Sequence, residues 1–153
     1  MAMATTNQDD RRRWIVVASK DHVQRGLEEG ICQASHGKDA PLRRMHQGDW
    51  AAFYSPKERY ESLEKCRRFT AIGRIKDDPV YQARTNKDFT PFRRNVEFYP
   101  CAEVPIEPLI PLLSFVRNKR SWGYVFRFGM IQIPRTDFLT IASQMLPALQ
   151  EIV

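Results

Sequence analysis

Three short segments hold the side chains best suited to chemistry: Ser19-Lys-Asp-His22, Gln33-Ala-Ser-His-Gly-Lys38 and Phe53-Tyr-Ser-Pro56. The first and third each fall where an apolar stretch ends, and the second is a polar loop between them. If those two apolar stretches are neighbouring strands, all three segments converge on one rim. Tyr54 would then be a flat wall, Ser19 and Ser55 hydroxyl partners, and Gln33, His36 and Lys38 readers of a ligand's edge. Lys20, Gly37 and Pro56 belong to the same frame. Each also has a plainer role, since Ser19 suits a helix cap and His36 suits an exposed loop.

No signature of a common catalytic or nucleotide-cradling site accompanies them. The seven glycines form neither G-x-G-x-x-G nor a phosphate cradle ending in Lys-Ser/Thr. There is no G-x-S-x-G elbow and no H-E-x-x-H. Cys32, Cys66 and Cys101 are odd in number and widely spaced, which reads as reduced thiols of a cytoplasmic protein, not a disulfide framework. Cys32 and His36 lack a second ligand pair, so no metal or cofactor is expected. The expectation is a protein that binds without catalysing.

Lys and Arg number 24 against 18 Asp and Glu among 153 residues, a net charge of +6 that suits an anionic partner. The 42% hydrophobic content is that of a globular chain. The longest apolar run, Trp14-Ile-Val-Val-Ala18, is far short of the roughly 20 residues of a membrane span. Residues 1–13 carry no apolar stretch and read as a frayed tail ahead of one domain over 14–153.

The elements that must position these groups follow from the pattern. Residues 14–18 form a strand buried on both faces, and a helix runs from Ser19 or Asp21 to Gly30. Pro41 opens a helical turn. Residues 50–54 form a strand that Ser55-Pro56 breaks, and 56–67 form a loop. A third strand spans 69–75, its Gly73 marking a bulge or a close backbone approach. Residues 77–91 are a long connection and 94–99 a further strand. Residues 106–116 make an irregular helix, 124–133 a strand or hairpin, and Thr136 caps a last helix that ends near Pro147. Five or six strands without regular βα alternation predict an α+β fold, a small bent β-barrel with helices packed around it.

These segments, together with Pro41-Leu-Arg-Arg-Met45, Gly48-Asp49, Phe69-Thr-Ala-Ile-Gly73, Pro91-Phe-Arg-Arg-Asn-Val96 and the region 122–141, resemble the EVE-domain family. That family is PUA-like and similar to the YTH readers of methylated adenine. The resemblance implies a pseudo-barrel whose pocket takes a modified base turned out of DNA or RNA. Ser19 falls where YTH domains carry a Ser after an apolar strand. Ile31 and Cys32 stand where they carry a wall tryptophan, so Trp122 or Tyr124 becomes the second wall. Trp14 reads equally as wall or core, and Trp50 as core. Phosphate contacts would come from Arg67, Arg68, Arg93, Arg94, Arg117, Lys119 and Arg120. Two other readings stay open: an amidohydrolase of a modified nucleoside using Lys20 or Lys38 with Ser55, and a protein-interaction module.

Overall fold

The computed structural model describes residues 11–34, 37–83 and 89–147. Its first strand is β1 (Arg13–Val17), whose Trp14, Ile15 and Val16 are fully buried. β1 runs parallel to β3 (Trp50–Lys57) and antiparallel to β8 (Met130–Ile133). Beyond β3 lie β4 (Lys65–Ile75), β6 (Phe92–Phe98) and β2 (Ile31–Cys32), all antiparallel to their neighbours. The two-residue strands β5 (Tyr81–Gln82) and β7 (Val104–Pro105) pair with β6 and β4. The result is a mixed sheet of order β2-β6-β4-β3-β1-β8, curled into a half-barrel. Among the described residues five strands exceed two residues, within the expected five or six.

Period-two alternation divides the apolar residues between two cores. Ile15, Trp50, Ala52, Tyr54, Phe69 and Ile72 face α3 (Arg135–Met145) and the 3-10 segments Glu107–Leu112 and Trp122–Phe128. Trp14, Val16, Ala51, Phe53, Ala71 and Ile75 face α1 (Lys20–Glu29) and α2 (Ala40–Arg43). A bulge in β4 maintains this sorting: Phe53 lies opposite Ala71 but Tyr54 opposite Phe69, leaving Thr70 as the extra residue. A Cβ on Gly73 would lie 2.5 Å from the Glu97 carbonyl oxygen, so only glycine lets β4 and β6 approach there.

Several boundaries differ from the sequence expectation. β1 begins at Arg13, inside the expected tail. β3 continues through Pro56, because the pairing is irregular between Ser55 and Lys57 and the ladder needs no N–H there. Residues 122–128 are 3-10 helix, not strand. α3 starts directly after Pro134, whose missing N–H costs nothing at a helix start, and not at Thr136. No helix among the described residues is long and apolar enough to cross a membrane.

Candidate functional site

The first and third polar segments meet where β1 and β3 end. The Ala18 N–H donates to the Tyr54 carbonyl and the Asp21 N–H to that of Glu58. Ser19 occupies the cap position of α1 by its backbone, but its hydroxyl donates to Asp21 Oδ1 at 2.6 Å. Burial pushes the Asp21 carboxyl up, yet bonds from Ser19, His22 and Tyr60 hold it below the usual carboxylate range. The Lys20 ammonium lies 3.0 Å from Glu103, which keeps its pKa raised despite burial.

The second segment joins a different rim. Gln33 Oε1 accepts from Arg93 Nε at 2.8 Å, and the same guanidinium lies 3.0 Å from Glu29. Gly37, with φ +83, packs against Pro91 and Phe89; a Cβ there would meet the Pro91 Cβ at 2.8 Å. Gln33 and Gly37 thus lie against residues 89–93, where the chain enters β6. His36 lies outside the described residues, and Lys38 is exposed. β2 stands three strands from β3 in the sheet, so all three segments do not close on one slot.

The expected walls are corrected by the core. Tyr54 is 2% exposed, with its ring 4.5 Å from Phe126 and 5.5 Å from Phe69. Trp122 is half-buried against the same Phe126, at 6.3 Å, with the Arg67 guanidinium over its face. Phe126 fills the space between them. Trp14 is fully buried, its indole N–H donating to Asp49 at 3.0 Å, so it is a core residue like Trp50. Ser55 is buried and bonded to Thr70 at 2.7 Å, while the Lys20 ammonium is paired with Glu103. Pro56 stays half-buried within β3, and Tyr124 is exposed.

The cations divide similarly. Arg94 is 1% exposed and donates to backbone carbonyls of Leu42, Met45 and Asp77, so it is no phosphate contact. Lys119 donates to the carbonyls of Ile110 and Leu113 at the end of a 3-10 segment. Arg67, Arg68 and Arg93 pair with Glu107, Glu103 and Glu29. Arg117 and Arg120 are exposed, with no ion pair among the described residues.

Sequence reasoning missed Phe89 and Pro91 as neighbours of Gly37. The signal available was the pair of apolar rings in an otherwise polar connection. Phe89 is 41% exposed beside Gly37. Among the described residues no three His, Cys, Asp or Glu side chains gather as a metal site. Burial pushes the Cys32 thiol up to about 12 and the Cys66 thiol up to about 11, and raises that of Cys101 as well. At neutral pH Cys66 therefore holds on the order of a hundredfold less thiolate than a free thiol. A disulfide reagent is expected to react slowly with the native protein and rapidly in denaturant; a fast native phase would contradict this.

A curled mixed sheet with helices on both sides defines a PUA-like fold. The EVE domain family model matches residues 12–144. A Mycolicibacterium vanbaalenii protein named UPF0310 is 49% identical over 132 residues, spanning 86% of this chain and 91% of that one. The Bacillus licheniformis UPF0310 protein in the gntR 5′ region is 47% identical over 127 residues, spanning 83% and 86%. The chain belongs to the EVE-domain family. A Rhodopseudomonas palustris protein solved by NMR shares the fold, at TM-score 0.52 and 14% identity over 87% of this chain and 92% of that one. So does a hypothetical protein of Leishmania major, at 0.52 and 10%, covering 88% and 94%.

Proposed function

We propose that this protein is a non-catalytic nucleic-acid-binding module that holds one modified, flipped-out base, such as a methylated cytosine or adenine. The base would sit where Gln33 and Gly37 meet Phe89, Pro91 and Arg93. The observation that carries the reading is this juxtaposition of an exposed aromatic ring and a polar side chain across a residue without a Cβ. Because Gln33 Oε1 is engaged by Arg93, a base edge would meet the Nε2 donor of that amide. Membership of the EVE family supports the same reading.

Energetics shape what such a site can do. Extruding a base costs a few kcal/mol, and stacking on one aromatic returns about 1–3 kcal/mol. One wall therefore roughly cancels the cost, and backbone contacts must supply the net affinity. A buried methyl adds only about 0.8 kcal/mol, near fourfold in affinity. Hydrogen bonding to Gln33 must then carry the choice of base type, since an unpaired buried polar group costs about 1–3 kcal/mol.

Titration of plain and base-modified oligonucleotides should show clear base selectivity with a modest preference for the methylated form. Phe89→Ala is expected to weaken binding of the preferred oligonucleotide by about tenfold, one stacking contact. Gln33→Ala should flatten the selectivity between base types. Equal affinities for every oligonucleotide, unchanged in both variants, would remove the base site.

A further inference from the structure

The 3-10 segment Trp122–Phe128 buries Phe126 but leaves Tyr124 58% and Phe128 62% exposed. Those two rings meet edge to face, with centroids 5.9 Å apart and planes at 85°. The Arg127 guanidinium lies over the Tyr124 ring, 5.4 Å from its centroid. Lone apolar side chains at a surface need no explanation, but here two aromatic rings are held together and braced by a cation. The turn that leads into them is basic. Asn118 Oδ1 accepts from the Arg120 and Ser121 N–H groups at 3.1 Å, and the Tyr124 N–H donates to the Ser121 carbonyl. Arg117, Arg120 and Arg127 are exposed and form no ion pair among the described residues. From Pro108 to Thr136 the chain carries five Lys and Arg and no Asp or Glu. The acids that flank this stretch are engaged elsewhere: Glu107 pairs with Arg67, and Asp137 accepts from Ser114 and the Phe115 N–H.

Exposed rings interleaved with arginines suit a polymer that offers flat faces and negative charge together, which is a single nucleic-acid strand. A second copy of this chain fits less well, because it would bring the same cationic, acid-free stretch against itself. We infer that Tyr124 and Phe128 form a stacking platform for a base of a single-stranded segment, with Arg117, Arg120 and Arg127 meeting its phosphates. The inference rests on the nucleic-acid reading above and adds a contact that does not choose among bases, since every base has a π face. The platform belongs to the other edge of the sheet: its segment leads into β8, whereas Gln33 follows β2.

The test is a salt-dependent titration of short single-stranded oligonucleotides, plain and base-modified, against wild type and two double variants. Tyr124→Leu/Phe128→Leu keeps apolar bulk but removes the flat faces, and Arg117→Gln/Arg120→Gln removes charge alone. All four side chains are exposed, so both variants are expected to melt with the wild type. The leucine variant should bind plain and modified strands about tenfold more weakly, with the salt slope unchanged. The glutamine variant should show a slope shallower by about 1.4, two contacts at about 0.7 each. If the wild type shows no base preference but both variants behave as stated, the base site fails and the platform stands. If base preference is present and both variants bind like the wild type, the platform fails and the base site stands. A loss confined to the modified strand also overturns the platform. So does a leucine variant that loses only binding to phosphatidylserine-containing vesicles, or only self-association in sedimentation, while its oligonucleotide affinity is unchanged.

Discussion

Arg94→Ala is expected to lower the unfolding free energy by about 3–5 kcal/mol, in the range for breaking a buried charged network. The side chain is almost completely enclosed, at the point where β6 faces α2. One Nη donates to the carbonyls of Leu42, at 2.8 Å, and Met45, and the other to that of Asp77 at 2.7 Å. A single guanidinium therefore ties the end of α2 and the turn after β4 to β6. Alanine leaves all three carbonyls without this donor in a space that water enters poorly, each at a cost of about 1–3 kcal/mol before relaxation. Arg94→Lys keeps the charge but gathers its donors on one nitrogen, so an intermediate loss is expected. Thermal melting should show a fall on the order of 10 °C for alanine. A shift below about 3 °C would mean that these bonds do not hold the segments together.

That arginine also shows where sequence reasoning reaches its limit. Its neighbour Arg93 and the run at 117–120 look the same by residue type, and charge normally marks solvent. What sets Arg94 apart is three carbonyls 52, 49 and 17 residues away, which no local pattern displays. By contrast, β1, α1 and the close approach at Gly73 were legible, because an apolar run, a polar cap region ending at Gly30 and a glycine within a strand each have a local physical cause.

Tyr54 is a more instructive case, because the information was present. The sequence suggests Trp50 as core and Tyr54 as a wall, yet residues four apart on a strand share a face. Parity alone places both rings on one side of the sheet, and both lie in the core facing α3. The 122–128 segment misled differently. Its aromatic and β-branched composition is strand-like, but the chain there winds into a 3-10 helix that sends Phe126 inward and leaves Tyr124 and Phe128 exposed. Of the candidate site, the polarity of residues 33–38 marks them as candidates in the sequence. The contacts of Gln33 and Gly37 with Arg93, Phe89 and Pro91 are not visible there, since they depend on how a long connection returns to β6.

Asp49→Ala should produce the second large loss, about 3 kcal/mol, as three donors lose a charged acceptor at about 1.5–3 kcal/mol each with partial relaxation. The carboxylate is buried and fully used. Oδ1 accepts from the Arg12 N–H at 3.0 Å, and Oδ2 from the Trp14 indole at 3.0 Å and the His46 N–H at 2.9 Å. The Trp14 indole is the costliest of these to orphan, because its ring lies in the core under α2 and cannot turn to water. Asp49→Asn preserves shape but replaces one acceptor oxygen with a donor that faces another donor, so it should recover only part of the loss. Hydrogen exchange separates this account from general loosening. In the alanine variant the Arg12 and His46 amides should exchange much faster, whereas amides in the centre of β4 should change only as global stability changes. Protection of Arg12 and His46 equal to that in the wild type would show that the carboxylate does not organise this corner.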